Sequence, residues 1–499
     1  MKTNPDQLPA PDAQGTNRYI PLLVGLLVVL VALLIPLKIV SRGYLPEDDA
    51  LRHAAKAVSG KPWPEIVVLG DGYTVDHNFG WHFVLRQVHK LTGCGAEALV
   101  DLAVVGCFAL LVLCALPWLK RPEAWLCALV IGAVGWLPLA GRAMIGRPLL
   151  LTTAAWLTIF YLWQQRSDSK PGWRLTALLS ALIGGSIWIH GVWYLWALPV
   201  VAFFLARQFS WGIALARAWG IGTLAAALLT GQPFAYLTEA VMMAAQATML
   251  HPTSRLLVSE FQPVSGGLLI FLLPGAMLIA RKLLKLELRP LTANPLFWLA
   301  CMGWLLGFVG RRFWDDWGLW ALLALAACDL NALLQSRVAA NSFQRLAFAA
   351  MAALAAFVVF SSDLDNRWTR TLTRQYLVES NTELAGSLPD RGGILYAPDP
   401  AFFYETFFKN PHADWRYLVS FEMTLMPEDD FETLYNILWN DGAAAAYAPW
   451  VAKMRPEDRL FVRAAAGSRP PIEGLEWHYT LGGMWSGRLP RTNAAPALR

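Results

Sequence analysis

Charge is scarce in this sequence. Of its 499 residues only 15% are Asp, Glu, Lys or Arg, where soluble chains average roughly a quarter. With 56% hydrophobic residues and a positive mean hydropathy, an ordinary soluble globular class is excluded. Paired cysteines are also missing. Cys94, Cys107, Cys114, Cys127, Cys301 and Cys328 lie in or beside apolar runs without CxxC spacing. That excludes a thiolate metal centre and a disulfide-stapled C-terminal domain, and the six read as small lipid- or core-facing residues. No Walker A loop, GxSxG elbow, HExxH helix or CxxCH haem site occurs. The apolar runs lack mid-span charge, with Asp101 and Asp329 near run ends, which argues against an ion or proton pathway. The net charge of +5 is small and sits in short loops, so no nucleic-acid partner is expected.

What the sequence does contain is long apolar runs. About eleven spans are predicted, near 19–40, 98–118, 123–140, 148–164, 174–189, 191–206, 212–230, 265–280, 294–309, 317–334 and 345–361. Runs of this length cross about 30 Å of hydrocarbon as helix. The 24 tryptophans are expected at the headgroup level, where indole rings collect. Tyr19 to Val40 is longer than a signal-peptide core, follows a polar leader and lacks a small-residue cleavage site, so it reads as a retained helix. A cytoplasmic N-terminus makes the inner connections Lys120-Arg121, Arg166 to Arg174, Arg207 to Arg217, Arg281-Lys282-Lys285-Arg289 and Arg337 to Arg345. All are basic, as the positive-inside rule requires. The assignment depends on breaking 174–206 at His190-Gly191, because a single span there would invert everything downstream.

This topology leaves a cytoplasmic tail, 1–18, a transmembrane domain, 19–361, and large pieces on the other face. Those pieces are a first outer loop, 41–97, a second, 231–264, and a C-terminal domain, 362–484, followed by a disordered tail, 485–499. Helices are predicted at Glu47 to Val58 and Asn78 to Leu91. The C-terminal part alternates short apolar stretches such as Ile394-Leu395-Tyr396 with amphipathic ones such as Phe431 to Trp439, which predicts a small α/β domain. No internal repeat is visible.

Candidate chemistry gathers on the outer connections. Glu47-Asp48-Asp49, followed by Arg52 and His53, can hold a divalent ion through carboxylate oxygens and leave one carboxylate as a general base. An acidic first helical turn explains one or two of these acids equally well. Asp71 to His82 brings two acids, two histidines (His77 among them) and Asn78 together, as site lining or as a solvated turn with an N-cap. Arg142 and Arg147, on a short outer loop, run against the positive-inside trend. A phosphate held bidentately is one explanation and snorkelling to headgroups the other. Arg311 and Arg312 precede Asp315 and Asp316, so phosphate binding competes there with local ion pairing. His190 sits among tryptophans at an outer helix end, as a structural or a functional residue. Glu260 and Gln262 complete the set.

The pattern resembles the type C superfamily of polytopic membrane glycosyltransferases (GT-C), in particular its bacterial GT-C-like branch. The resemblance is carried by the span number, by Glu47-Asp48-Asp49 in a helix-bearing first outer loop, and by Gly146-Arg147-Pro148, His190-Gly191, Ser259 to Pro263 and Arg311-Arg312. It covers Tyr19 to Phe360 and the plan of a C-terminal extracytoplasmic domain. It implies a bacterial inner-membrane enzyme that takes a sugar from a polyprenyl-phosphate donor to an extracytoplasmic glycan, lipid or protein. Asp48, Asp49 and Glu47 would be catalytic. Asp48 and Asp49 would be the ligands of a divalent cation, Mg or Mn. The substrate would meet Arg52, His53, His77, Arg142, Arg147, His190, Glu260, Gln262, Arg311 and Arg312. Membrane lipid and proteins met through the C-terminal domain are the other expected partners. The rival readings are a GT-C-like scaffold subunit without catalysis and a ligase or polymerase with a larger lipid-linked donor.

Overall fold

The computed structural model describes residues 18–490, apart from 72, 74, 168, 246–258, 266, 285–290, 385, 465–466 and 482. The leader before Arg18, Gly72 and Thr74 of the first loop, Lys285 and Arg289 of the inner basic cluster, and the tail after residue 490 therefore lie outside the described residues.

The chain is mostly helical, with a small sheet near its C-terminus. Among the described residues five helices are long and apolar enough to cross a membrane: Ile20–Val40, Ala96–Leu113, Phe209–Leu229, Arg311–Arg337 and Phe343–Ser361. Shorter apolar helices, Glu123–Gly135, Trp173–Ile189, Trp193–Leu205 and Pro295–Gly307, pack among them. The set is compatible with a multi-pass membrane protein. The expected break at His190-Gly191 is present: one helix ends at Ile189, His190 is extended, and the next turn begins at Trp193.

Several helices are apolar on both sides. On Ile20–Val40, Val24, Val28, Ile35 and Ile39 are buried while Leu22, Leu26, Leu30 and Leu37 are exposed. The same holds for Ile221, Leu224 and Leu228 on Phe209–Leu229 and for Met351, Leu354 and Val358 on Phe343–Ser361. Small residues set the closest helix contacts. A Cβ on Gly184 would lie 2.9 Å from the Gly222 carbonyl oxygen, and one on Gly303 would lie 2.4 Å from Gly318. Backbones meet where side chains are absent, the usual device of helix packing in lipid.

Tryptophans pack inside the helix bundle. Trp125, Trp156, Trp163, Trp196, Trp211, Trp317 and Trp320 are fully buried, and Trp156 stacks on Trp317 with ring centroids 5.9 Å apart. Large flat rings fill gaps between helices here, so tryptophan count is no guide to the headgroup level.

The first loop forms helices α1 (Asp49–Ser59) and α2 (Phe79–Thr92), close to the expected ranges. Glycines in left-handed conformation, Gly60 and Gly93, stop both. The C-terminal unit contains the expected small sheet, with strands β1 (Ile394–Tyr396), β2 (Arg416–Tyr417), β3 (Arg459–Arg463), β4 (Glu476–Tyr479) and β5 (Met484–Arg488). Their order is β2-β1-β3-β5-β4. β1 runs parallel to β2 and β3, and β5 pairs antiparallel with β3 and β4. The tail expected from residue 485 is thus corrected: Trp485 to Arg488 are paired strand residues, held by Val462↔Trp485 and Glu476↔Arg488.

The sheet is joined to the first loop. Val67 bridges Tyr417 in parallel, Val68 N donates to Tyr417 O at 2.9 Å, and Gly70 N donates to Leu425 O at 2.7 Å. Trp63, Ile66 and Val67 share an apolar core with Phe403, Phe407, Tyr417 and Phe461. This docking brings the C-terminal unit over the end of the bundle where the candidate residues lie.

Candidate active site

The acidic motif is positioned by a helix start. Asp48 is extended and caps α1, its Oδ1 accepting from Asp49 N at 2.5 Å, so the N-cap explanation of the motif is realised. Capping does not exhaust the motif. Asp48 also pairs with Arg147, and Asp49 Oδ1 accepts from Arg52 Nε at 2.6 Å. Glu47 points elsewhere, bonding Arg374 at 2.6 Å and Arg370 at 2.9 Å. It ties the loop to the segment that leads into the C-terminal unit.

Arg147 is the hub. Its Nη1 donates to Glu260 Oε1 at 2.8 Å, its Nη2 meets Asp48, and its Nε lies 3.5 Å from Asp49. Glu260 in turn receives Arg142 at 2.7 Å and faces Arg312 at 3.3 Å. Asp316 closes the network, pairing with Arg142 and lying 3.8 Å from Arg312. Four stretches far apart in sequence, around residues 48, 147, 260 and 316, are thus joined by one web of charge.

These groups surround a cavity of about 890 Å³. Glu47, Asp48, Asp49, Arg52, His53, His77, Arg147, His190, Glu260 and Arg312 all line it. Arg142, Gln262 and Arg311 do not. Arg142 stands behind Glu260. Gln262 offers its carbonyl to Arg311 N at 2.8 Å. Arg311 Nε pairs with Asp315 at 2.8 Å, which is the local pairing weighed for it above. His77 stacks near Tyr236, ring centroids 6.1 Å apart, and its carbonyl accepts from Gly191 N at 2.9 Å. A Cβ at 191 would fall 2.6 Å from that carbonyl, so glycine there lets the first loop seat against the bundle.

Burial and neighbouring charge separate the two aspartates. Burial raises the Asp48 carboxyl above its ordinary range despite Arg147. Burial pushes Asp49 the same way, but Arg52 and Arg147 outweigh it and hold Asp49 low. Glu260, although buried, is likewise held low by Arg147, Arg312 and Arg142. Burial, with Arg312 adding to it, lowers His190 to about 3, so its ring is neutral. The acidic motif thus offers one carboxylate of raised basicity, Asp48, beside the firmly ionised Asp49 and Glu260.

The donor set fits a divalent cation poorly. Asp48 Oδ1 and both Asp49 oxygens face guanidinium groups. Among the described residues no group of three or more His, Cys, Asp or Glu is placed to hold an ion. A cation would have to displace Arg147 or Arg52.

The C-terminal unit supplies residues that sequence reasoning missed. Tyr404, Phe421 and Glu422 line the cavity, Arg52 lies 4.1 Å over the Phe421 ring, and burial raises Glu422 to about 7. Nothing local in Phe402 to Glu405 or Ser420 to Met423 signals a site, because they reach it through the docking of the sheet. Asp316, seen only as a neighbour of Arg312, is a second miss. His82 and Asp76 were within a stretch singled out, though not named as site residues. Compared with known proteins, the sequence matches no family model and no curated protein.

Proposed function

We propose that the chain is a multi-pass membrane glycosyltransferase of GT-C type, taking a sugar from a polyprenyl-phosphate donor to an extracytoplasmic acceptor. The observation that carries this reading is the convergence of Asp48, Asp49, Arg147, His190, Glu260 and Arg312 on one cavity at one end of an apolar bundle. A lipid-borne donor needs no nucleotide-binding domain. It needs a cavity at the membrane edge, a base for the acceptor hydroxyl and cations facing the leaving phosphate.

In this reading Asp48 takes the proton of the acceptor hydroxyl as that oxygen bonds to the sugar's anomeric carbon. The bond from that carbon to the phosphate oxygen breaks, and its electron pair leaves with the polyprenyl phosphate. Arg312, with a side chain 35% exposed, and Arg52, whose buried Nη1 has no hydrogen-bond partner, are the cations with donors to spare. Each of the eleven expected spans overlaps a described helix, which supports the eleven-span topology. The exposed apolar stripes support burial in lipid. A bacterial inner membrane, with the N-terminus cytoplasmic and the C-terminal unit outside, then follows from the basic connections.

A scaffold without catalysis is the second reading, favoured by one observation. Both Nη groups of Arg147 are already taken by carboxylates of the chain itself. The test is reconstitution of the full chain in liposomes with labelled polyprenyl-phosphate sugars and envelope acceptors. Label should reach an acceptor with the wild type and not with Asp48→Asn. If the wild type transfers nothing, and Asp48→Asn with Asp49→Asn restores a deletion strain, the scaffold reading replaces this one.

A further inference from the structure

Behind the aspartates, the cavity wall holds a chain of three groups that the proposed transfer leaves unused. Asp76 Oδ2 lies 2.6 Å from His82 Nδ1, and His82 Nε2 lies 2.7 Å from His53 Nδ1. The three come from the loop before α2, from α2 and from α1. His82 and His53 are buried, and His53 and Asp76 both line the cavity.

The order of protons along this chain follows from hydrogen-bond chemistry. Burial disfavours the Asp76 anion, yet His82 and Lys56 hold the carboxyl well below its ordinary range. An ionised carboxylate only accepts, so His82 Nδ1 must carry its hydrogen. A neutral imidazole has one N–H, and His82 Nε2 is then an acceptor. The 2.7 Å link must therefore be donated by His53 Nδ1. His53, neutral in turn, is left with a bare Nε2.

We infer that His53 presents this Nε2 to the cavity as a second proton-accepting group, backed through His82 by Asp76, for a hydroxyl-bearing ligand. The identity of the hydroxyl rests on the glycosyl-transfer reading; the proton-accepting site does not. As the hydroxyl oxygen forms its new bond to carbon, its proton passes to Asp48 and from there, within the cavity both groups line, to His53 Nε2. The Nδ1 proton of His53 moves to His82 Nε2, and the electron pair of the broken sugar–phosphate bond leaves with the phosphate. The positive charge comes to rest on His82, beside Asp76.

That transfer of charge is what the surroundings call for. The groups facing His53 are Arg52 on its own helix, His82, His190 and Arg147, and those facing His82 are Asp76, Lys56 and Arg52. An imidazolium held at His53 would sit among cations with no anion of its own. Burial disfavours an imidazolium at His82 as well, but there the charge has a carboxylate partner, Asp76, to offset part of that cost.

Full-length protein labelled with 15N-histidine and placed in lipid nanodiscs tests the inference directly. Ring-nitrogen spectra separate protonated from bare nitrogens, and His53→Gln and His82→Gln assign the two rings among eight histidines. If those variants do not fold, coupling across the imidazole–imidazole hydrogen bond identifies the pair in the wild type. The expected result is hydrogen on Nδ1 of both rings and a bare Nε2 on His53. Hydrogen on His53 Nε2 overturns the proposal. In a transfer assay, His53→Gln should lower kcat about a hundredfold or more, leave KM within a few-fold, and alter the acid limb of the pH profile. Wild-type kcat and profile in that variant also overturn it. A wild type that transfers no sugar yet keeps the bare Nε2 supports the site and removes the glycosyl-transfer reading.

Discussion

Two buried arginines, one at each end of the bundle, differ in a way that separates structure from site. Arg345 Nε donates to Glu123 at 2.8 Å, and its Nη groups reach the carbonyls of Ala340 and Lys120 at 3.2 and 3.1 Å. Both partners are almost fully buried, and the cluster clamps the start of two helices. Arg147 is also deeply buried and also bonded to carboxylates, but its partners face a cavity. The neighbouring polar atoms Arg52 Nη1 and His190 Nδ1 have no hydrogen-bond partner. Removing one partner of a buried pair is destabilising wherever it lies, so a buried ion pair alone says nothing of function. Adjoining space does; an unsatisfied polar atom alone does not, since Arg121 Nη1 beside Glu123 lacks a hydrogen-bond partner too.

The largest effect expected from this contrast is chemical. Asp48→Asn should lower transfer by about a hundred- to ten-thousandfold, the usual span for a general base. That is far more than the loss of folded protein that follows when Arg147 loses one of its carboxylates, read as a lower thermal midpoint in detergent. An equal loss of stability and activity would place Asp48 with Arg345, as a clamp. Arg345→Ala is the mirror experiment. It leaves Glu123 buried with only Arg121 Nη1, 3.9 Å away, at a cost of up to about 3–5 kcal/mol, read as a large drop in denaturant midpoint. Activity per folded molecule should be unchanged. A smaller effect is expected at the helix contact of Gly184. Gly184→Val pushes a side chain against the Gly222 backbone, at about 1–3 kcal/mol, again seen in the unfolding midpoint and not in kcat of the folded fraction. No shift there would mean that the two helices separate freely.

How much of this was legible in the sequence depends on the range of the physics involved. Helices over Glu47 to Val58 and Asn78 to Leu91 were legible because acids at a helix start, apolar spacing and a terminal glycine act within a few residues. The break at His190-Gly191 was legible from glycine and polarity inside an apolar run. Convergence of Asp48, Arg147, Glu260 and Arg312 could be inferred from topology alone, since alternating spans bring their loops to one end. The pairings within that end could not, and Arg142 and Arg311 turned out to stand outside the lining, Arg142 against Glu260 and Asp316 and Arg311 against Asp315. Tyr404 and Glu422 were illegible because a β-bridge between Val67 and Tyr417 brings them in across some 350 residues of chain. The packing of the tryptophans was illegible for a different reason. The same amphipathic ring suits an interface and a packed core, and composition does not say which.

The finest contrast lies within the cavity, between Asp49 and Glu260, held ionised by arginines, and Glu422, which is not. Burial raises Glu422 to about 7, with Arg312 offsetting it in part, whereas Asp49 and Glu260 are held low. Its protonated form is the one the folded state favours, so the penalty is absent below the ordinary carboxylate range. That penalty grows as pH rises and is complete above about 7. Ionised Glu422 would place a negative charge facing Arg312 and Asp49, weakening the hold on a phosphate. Binding of a polyprenyl phosphate to the wild type should therefore weaken several-fold between about pH 6 and 8 relative to Glu422→Gln, which mimics the protonated acid. The ratio of the two proteins cancels the ligand's own ionisation, which would otherwise mask the effect. A ratio that stays flat across that range would show that Glu422 does not face the phosphate, and the anionic group would then be sought nearer Arg52.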